Sequence, residues 1–202
     1  SRFEGRGVGS GRVPLRRGLA KRRFGSPECG FGRRGRPECS RAGRVSVAGI
    51  DCGTNSIRLL IAEAAPDGSL RDLVREMKVV RLGQGVDRTG EFAQEALERA
   101  FAAAEEYGEA CRAHGVTSIR FAATSAARDA RNRDAFVEGV RSRLGVSPQI
   151  LSGEEEARVG FAGAISGMPP GTESPLLAVD LGGGSTEIAL GTMTGELLGA
   201  YS

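Results

Sequence analysis

Two short segments of this chain repeat the same pattern of residue types, and they constrain the fold more than any other feature. The first is GIDCGTNSIRLLI (49–61) and the second is AVDLGGGSTEIAL (178–190). When they are aligned on Asp51 and Asp180, which are 129 positions apart, both run from apolar residues through Asp-x-Gly to a Ser at the fifth position after Asp. An apolar run follows in each case. Each segment predicts a strand, a tight turn and a second strand, and the pair predicts duplicated domains.

The turn of each segment is suited to binding a phosphate group. Backbone N–H groups of a tight turn, together with Ser and Thr hydroxyls, can converge on phosphate oxygens. The residues that we predict to do so are Gly53, Thr54, Asn55, Ser56, Gly182, Gly183, Gly184 and Ser185. We expect the three consecutive glycines to let the backbone approach closely and to adopt positive φ angles. Asp51 and Asp180 would hold a metal ion or a water molecule beside the phosphate.

The first segment also contains C-x5-R, from Cys52 to Arg58, which is the pattern of a loop whose thiolate attacks phosphorus. Such a loop leads into a helix, because the helix N-terminus lowers the thiol pKa. Here Arg58 opens an alternating, strand-like run instead. The negative charge of Asp51 would raise the thiol pKa, and the second segment has Leu181 in place of the cysteine. We therefore predict that Cys52 is a small buried strand residue.

The patterning of residues 45–202 predicts a mixed α/β sheet. Strands are expected over 45–51, 57–64, 70–82, 118–124 and 147–151. Helices, indicated by apolar residues at helical spacing, are expected over 91–113 and 132–144 and from Ser152 onwards. MPPGTESP (168–175) is rich in turn residues and predicts a linker, after which the meander begins again. The expected division is a first domain over 45–170 and the start of a second over 171–202.

The charge of the chain is divided between two unlike parts. Residues 1–44 carry 13 Lys and Arg against 3 acidic residues, whereas the remainder carries 15 against 22, which gives +10 and −7. The N-terminal part is rich in Gly and Arg without apolar periodicity, so we predict disorder there and do not expect nucleic-acid binding. Isolated Cys52 and Cys111 suit a reducing cytoplasm. Apolar runs fall short of the roughly 18 residues needed for a membrane span.

Four segments together resemble the exopolyphosphatase/guanosine pentaphosphate phosphohydrolase (Ppx/GppA) family: GIDCGTNSIRLLIAEA, RFAATSAARDARN, ILSGEEEARVGFAGA and LAVDLGGGSTEIALG. They occur in the family's order, and the resemblance covers about residues 45–202. It implies an actin-like (ribonuclease H-like) fold with the active site in a cleft between two domains. It also implies removal of terminal phosphates from polyphosphate or pppGpp, with Mg²⁺ or another divalent cation. The family's second domain normally continues well beyond GAYS, so we expect this chain to be inactive alone. We also expect the full-length protein to be a homodimer.

The helix that starts at Ser152 carries the candidate catalytic base. Ser152 and Glu155 form an S-x-x-E capping box, which gives Glu155 a structural role. Glu156 instead lies on a stripe of glycines where a ligand could come close, and a carboxylate there could deprotonate the attacking water. The base of the resembled family falls at the Glu directly before Ala-Arg, which is Glu156, and Glu155 is the second choice. The alternative is a surface run of three glutamates at a helix N-terminus.

Four further residues take predicted roles from the resemblance. Arg128, in ATSAAR after a predicted strand, matches the phosphate-binding arginine of the family. A guanidinium suits a pair of phosphate oxygens better than an ammonium group does. Asp180 and Glu187 match the metal-associated acids, and Asp51 is the equivalent acid of the first turn. Without the resemblance, these residues would be interpreted as a surface arginine, a turn aspartate and an outward-facing strand residue.

Other chemistries are excluded or left as alternatives. The only histidine is His114, which argues against histidine phosphatases and Ser-His-Asp hydrolases. The sequence lacks G-x4-G-K-[ST], so a P-loop NTPase is excluded. Two alternatives to hydrolysis remain open, a (p)ppGpp-binding regulator with little catalysis and an actin-like ATP-dependent kinase. The sequence does not choose between polyphosphate and pppGpp, which share a terminal phosphoanhydride.

Overall fold

The computed structural model describes residues 44–169 and 171–202. The predicted disorder of residues 1–44 therefore lies outside the described residues, apart from Arg44. The elements in chain order are β1 Val45–Cys52, β2 Ser56–Ala64, β3 Leu70–Val79, α1 Val86–Thr89, α2 Gln94–Ala113, β4 Ser118–Ala123, α3 Ser125–Asp129, α4 Arg133–Leu144, β5 Gln149–Ile150, α5 Gly153–Ser166, β6 Leu176–Leu181, β7 Thr186–Gly191 and β8 Leu197–Tyr201.

The first sheet has five strands in the order β3-β2-β1-β4-β5 and mixes both pairing types, as predicted. The meander β1–β2–β3 is antiparallel, whereas β4 pairs with β1 and β5 pairs with β4 in parallel. Alternate residues of the central strands are buried with residues of α2 and α4 in one apolar cluster, which includes Ile50, Ile57, Leu59, Phe121 and Phe136. Because β1 and β4 run parallel, the segments that follow them leave the sheet at the same edge.

Helix α2 begins at Gln94, three residues later than the predicted 91, and ends at the predicted Ala113. Its buried side chains recur at helical spacing and include Leu97, Ala100, Ala104 and Tyr107. The Tyr107 hydroxyl donates a hydrogen bond to the carbonyl oxygen of Ile57 at 3.1 Å, which ties the helix to β2.

The sequence did not predict two short helices, α1 and α3. Helix α1 has four residues and lies between Gly85 and Gly90, which both adopt the left-handed conformation. Helix α3 has five residues and follows β4 directly. Helices of about one turn are too short to show a 3.6-residue period, and for that reason the sequence did not indicate them. Strand β3 ends at Val79 rather than at 82, and Arg81 has a φ of 49°.

The second sheet consists of β6, β7 and β8 in antiparallel order, and one of its faces is covered by α5. Ala157 and Phe161 of α5 are buried with Ala189 of β7. The other face exposes the large apolar side chains Leu177, Val179, Leu181, Ile188, Leu190 and Tyr201. Helix α5 thus packs on the second sheet, although it precedes the predicted boundary at residue 170; the domain division stays a prediction. Within the described part of the chain, no helix is long and apolar enough to span a membrane.

Candidate functional site

The two repeated segments form hairpins with the same backbone geometry. In the first, Asp51 lies opposite Arg58 in the strand register, and in the second Asp180 lies opposite Glu187. Gly53 N–H donates to the Ser56 carbonyl at 3.0 Å, and the equivalent bond from Gly182 to Ser185 is 2.9 Å. The repeat in the sequence therefore corresponds to a repeat in hydrogen bonding, and we call these turns loop 1 (53–56) and loop 2 (182–185).

Loops 1 and 2 face each other at close range. A Cβ atom added at Gly183 would lie 3.4 Å from the Cβ atoms of both Asn55 and Thr54. One added at Gly184 would collide with the hydroxyl oxygens of Ser125 and Thr54. The predicted close approach thus takes place between the two loops. The expected positive φ angles were wrong, because none of Gly182, Gly183 and Gly184 has φ in the left-handed region.

A cleft of about 580 Å³ lies between the loops. Its lining includes all eight predicted phosphate-binding loop residues together with Asp51, Asp180, Glu156 and Arg58. The structure thus brings most of the predicted site residues together. Arg128 and Glu187 are the two predicted residues that do not line this cleft. Glu187 instead lines a smaller adjoining cavity of about 200 Å³, together with Glu156 and Asp180.

Glu156 lies in the first turn of α5, where the predicted capping box fixes the start of the helix. Ser152 Oγ accepts from the Glu155 N–H at 3.2 Å, and the Glu155 carboxylate accepts from the Ser152 N–H at 2.8 Å. Glu155 is therefore occupied by the cap, whereas the Glu156 side chain is half-buried and reaches the cleft. Burial raises the pKa of Glu156, and the nearby charge of Glu187 raises it further, against the opposing effect of Arg128.

Arg128 binds the candidate base. Its Nη1 donates to Glu156 Oε2 at 2.7 Å and to the Leu151 carbonyl at 2.8 Å. Both side chains of the ion pair are largely shielded from solvent, with exposed fractions of 22% and 17%. The guanidinium therefore fixes the position of the Glu156 carboxylate, and the phosphate-binding role of Arg128 stays a prediction.

The remaining acids are Asp51 of the first hairpin and Asp180 and Glu187 of the second. Asp51 is paired with Arg58 at 3.4 Å, and burial raises the pKa of Asp51, with a smaller raising effect from Asp180. Glu187 is only 3% exposed, and one carboxylate oxygen accepts from the Ser202 hydroxyl at 3.0 Å. Asp180 and Glu187 are cross-strand partners, so the second hairpin places two carboxylates next to each other.

These carboxylates suit only a particular kind of metal site. Among residues 44–169 and 171–202, no group of three or more His, Cys, Asp or Glu side chains is arranged to hold a metal ion. A site that depended entirely on protein ligands, such as a zinc or calcium cage, therefore does not fit. Mg²⁺ commonly takes one or two carboxylates and completes its shell with water and substrate phosphates. Asp180 and Glu187 fit that requirement.

The cleft also contains residues that the sequence did not indicate. Thr124 and Ser125 are buried, and Ser125 Oγ lies 3.1 Å from Thr54 Oγ1 of loop 1. A usable signal was present, since two hydroxyl residues directly follow β4, and the ends of parallel strands meet at one edge of a sheet. Arg81, Gly83 and Gln84 line the cleft from the segment after β3, and no motif marked them.

Cys52 has the environment of a core residue, as predicted. It is 1% exposed, and burial followed by the charge of Asp51 raises the pKa of its thiol. A thiol under those influences stays protonated and is a poor nucleophile. The geometry therefore argues against a cysteine phosphatase.

Comparisons with known proteins show which family the sequence resembles. A model of the Ppx/GppA phosphatase family matches residues 60–199. Exopolyphosphatase 2 of Mycobacterium tuberculosis is 47% identical over 164 residues, which cover 77% of this chain and 50% of that protein. A bifunctional 3-dehydroquinate synthase/phosphatase of Fusobacterium nucleatum is 35% identical over 154 residues, covering 73% of this chain and 23% of that protein.

Solved structures match the fold over the same region. The crystal structure of an exopolyphosphatase-like protein superposes with a TM-score of 0.74 at 47% identity, covering 78% of this chain and 50% of that one. An exopolyphosphatase from Cytophaga hutchinsonii gives 0.72 at 29% identity, with 77% and 49% covered. A Ppx/GppA protein of Aquifex aeolicus gives 0.69 at 29% identity, with 78% and 50% covered.

Three conclusions follow from these matches. The chain spans about half the length of Exopolyphosphatase 2 and of the solved chains it resembles. The predicted fold class is confirmed: an α/β, actin-like architecture with a mixed sheet, followed by a second sheet that repeats the loop hairpin. The chain belongs to the Ppx/GppA phosphatase family.

Proposed function

We propose that this chain supplies the phosphate-binding cleft and the general base of a hydrolase that removes terminal phosphates from polyphosphate or pppGpp. The observation that carries the proposal is the pair of matched loops facing each other across a cleft that also contains Glu156. Backbone N–H groups and hydroxyls of the two loops would bind the terminal phosphate from two sides.

Glu156 acts as the base in this proposal. Its carboxylate takes a proton from a water molecule, and the water oxygen bonds to the terminal phosphorus. The bond between that phosphorus and the bridging oxygen breaks, and the shortened chain leaves with the bonding electrons. A raised pKa makes a carboxylate a better proton acceptor near neutral pH, which supports the assignment. Arg128 keeps the carboxylate in place through its 2.7 Å contact.

A divalent cation such as Mg²⁺ would be held by Asp180 and Glu187, with Asp51 nearby. It would supply neutralisation of the charge on the phosphate oxygens. The chain's own part is to bring Asp51 of the first hairpin and Asp180 of the second to the cleft, where burial and the like charge of Asp180 raise the pKa of Asp51. Phosphate binding without a cation would be opposed by the same charges.

The test is phosphate release from polyphosphate and from pppGpp, with and without Mg²⁺, by the longest reading frame that contains this chain. Glu156→Gln keeps the size of the side chain and removes the base, so we expect kcat to fall at least about hundredfold. Glu154→Gln is the matched control, since Glu154 is exposed on the same helical turn and pairs only with Arg158 among the described residues. Wild-type turnover by Glu156→Gln would contradict the base assignment.

Two other outcomes would replace the proposal. Binding of ppGpp without phosphate release would favour a regulator of the same fold. Transfer of phosphate from ATP to an acceptor would favour an actin-like kinase. Each is measured in the same preparation, the first by calorimetry and the second with labelled ATP.

A further inference from the structure

A third segment, in addition to loops 1 and 2, contributes to the cleft. After β3 the chain runs along loop 1, where the N–H groups of Val80 and Arg81 both donate to the Asn55 carbonyl, at 3.0 and 2.9 Å. Gly83 N–H donates to the Thr54 carbonyl at 2.8 Å. The segment is therefore fixed to the backbone of loop 1 on both sides of Arg81.

Arg81 is held in an unusual backbone conformation. Its φ is 49°, and it is the one non-glycine residue with positive φ in the described part of the chain. Its neighbours Val80 and Leu82 are buried, at 2% and 0% exposure, so the turn cannot relax without moving core side chains. Left-handed backbone is unfavourable for a residue with a long side chain, and such positions cluster at functional sites.

The side chain of Arg81 lines the cleft and is exposed. Arg58 is paired with Asp51 and Arg128 with Glu156, whereas Arg81 makes no side-chain hydrogen bond or ion pair with any residue of 44–169 or 171–202. Its guanidinium is therefore a cation at the cleft that forms no ion pair with any carboxylate of the described residues. The fork of donors matches two oxygens of a phosphate group.

We propose that Arg81 binds a phosphate of the substrate other than the one that is transferred, and thereby fixes the phosphate chain in the cleft. The inference rests on the proposed function and assigns a residue that neither the repeat nor the resemblance indicated. It is favoured by the left-handed backbone, by the attachment to loop 1 that holds this backbone in place, and by a guanidinium without an ion-pair partner among the described residues. Because loop 1 and Arg81 are held together, the two phosphates would be bound at a fixed separation.

The experiment uses the longest reading frame that contains this chain, with sodium tripolyphosphate as substrate and as titrant. Arg81→Asn removes the guanidinium while keeping a residue that tolerates left-handed backbone. We expect KM and the dissociation constant to rise about tenfold or more, as for loss of a charge-assisted hydrogen bond, with a smaller change in kcat. Arg81→Lys keeps the positive charge but lacks the forked pair of N–H donors. Its KM and dissociation constant should therefore lie between those of the wild type and of Arg81→Asn. Arg88→Ala is the control, since Arg88 is an exposed arginine of α1 outside the cleft lining.

Equal KM and equal affinity in Arg81→Asn and Arg88→Ala would overturn the inference while leaving the proposed function intact. A fall in kcat at unchanged KM and unchanged affinity would also overturn it. If the wild-type protein neither cleaves nor binds tripolyphosphate and also releases no phosphate from pppGpp, the proposed function itself fails. Circular dichroism of each variant checks that the fold is kept.

Discussion

The two hairpins of this protein share a backbone pattern and differ in charge. Asp51 lies opposite Arg58 and forms an ion pair, whereas the equivalent Asp180 lies opposite Glu187. The negative charge of Asp51 is therefore balanced by an arginine within the first hairpin, whereas the second hairpin carries two acids. In the proposed function, the duplicated turn would provide two sets of phosphate-binding donors, and the change at one strand position would let the second hairpin hold a cation.

The packing beneath the hairpins differs as well. Among the residues that the structure describes, the first belongs to a five-stranded sheet with a core of 22 buried residues, whereas the second belongs to a three-stranded sheet whose buried cluster has 3. Leu181 precedes loop 2 at 79% exposure, while its counterpart Cys52 is 1% exposed. The first half of the cleft thus rests on a complete core, and the second half on a single helix.

The largest effect is expected from removing the charge difference between the hairpins. Glu187→Gln keeps the shape of a buried side chain and leaves Asp180 as a single acid, so we expect phosphate release to fall about hundredfold and the Mg²⁺ requirement to shift to higher concentration. Arg58→Gln changes the equivalent position of the first hairpin and should cost less than tenfold. If both variants lost the same fraction of phosphate release across a Mg²⁺ titration, the two hairpins would not differ in the way described.

The next effect tests the difference in packing. Phe136 is fully buried and contacts the rings of Phe92 and Phe121, so Phe136→Ala should lower the free energy of unfolding by about 3–5 kcal/mol. Leu181→Ala, on the exposed face of the second sheet, should change it by less than about 0.5 kcal/mol. Urea unfolding followed by circular dichroism measures both. A large loss in Leu181→Ala would mean that this face is covered.

A smaller effect concerns pH. Burial raises the pKa of Glu156 above its ordinary value near 4.5. The acidic limb of kcat/KM should therefore lie above pH 4.5, because the base must be deprotonated. The free energy of unfolding depends on pH in the opposite direction. Because the folded-state pKa of Glu156 is raised, this residue stabilises the fold below its unfolded-state pKa, and the stabilisation is lost as the pH rises through the folded-state pKa. Wild type should lose stability relative to Glu156→Gln above pH 4.5, and parallel pH profiles of unfolding would contradict this.

The smallest effect is expected at Cys52. Its thiol is buried and kept protonated, so Cys52→Ala should leave phosphate release within about twofold of wild type, apart from the modest loss of stability that follows a small core truncation. Steady-state assays at a temperature well below the unfolding midpoint separate a change in catalysis from a loss of stability. Abolished turnover in a folded variant would restore the covalent mechanism.

The hairpins and the start of α5 could be predicted from the sequence because their signals are local. The repeat fixes both turns, and S-x-x-E from Ser152 to Glu155 fixes the helix cap. The contact of Arg128 with Glu156 could not be predicted, because it joins α3 to α5 between residues 28 positions apart in the chain. The left-handed backbone of Arg81 could not be predicted either, because hydrogen bonds to Asn55 impose this conformation on an arginine, which does not favour it.

The central claim is that loops 1 and 2 bind one phosphate chain together. A titration of the labelled 202-residue chain with sodium tripolyphosphate and Mg²⁺, followed by amide NMR shifts, tests it directly. The account predicts that the amides of residues 53–56 and 182–185 shift together with a single dissociation constant, while Gly145, a helix-capping glycine outside the cleft, does not. Shifts confined to one loop, or two loops titrating with different constants, would contradict the shared site.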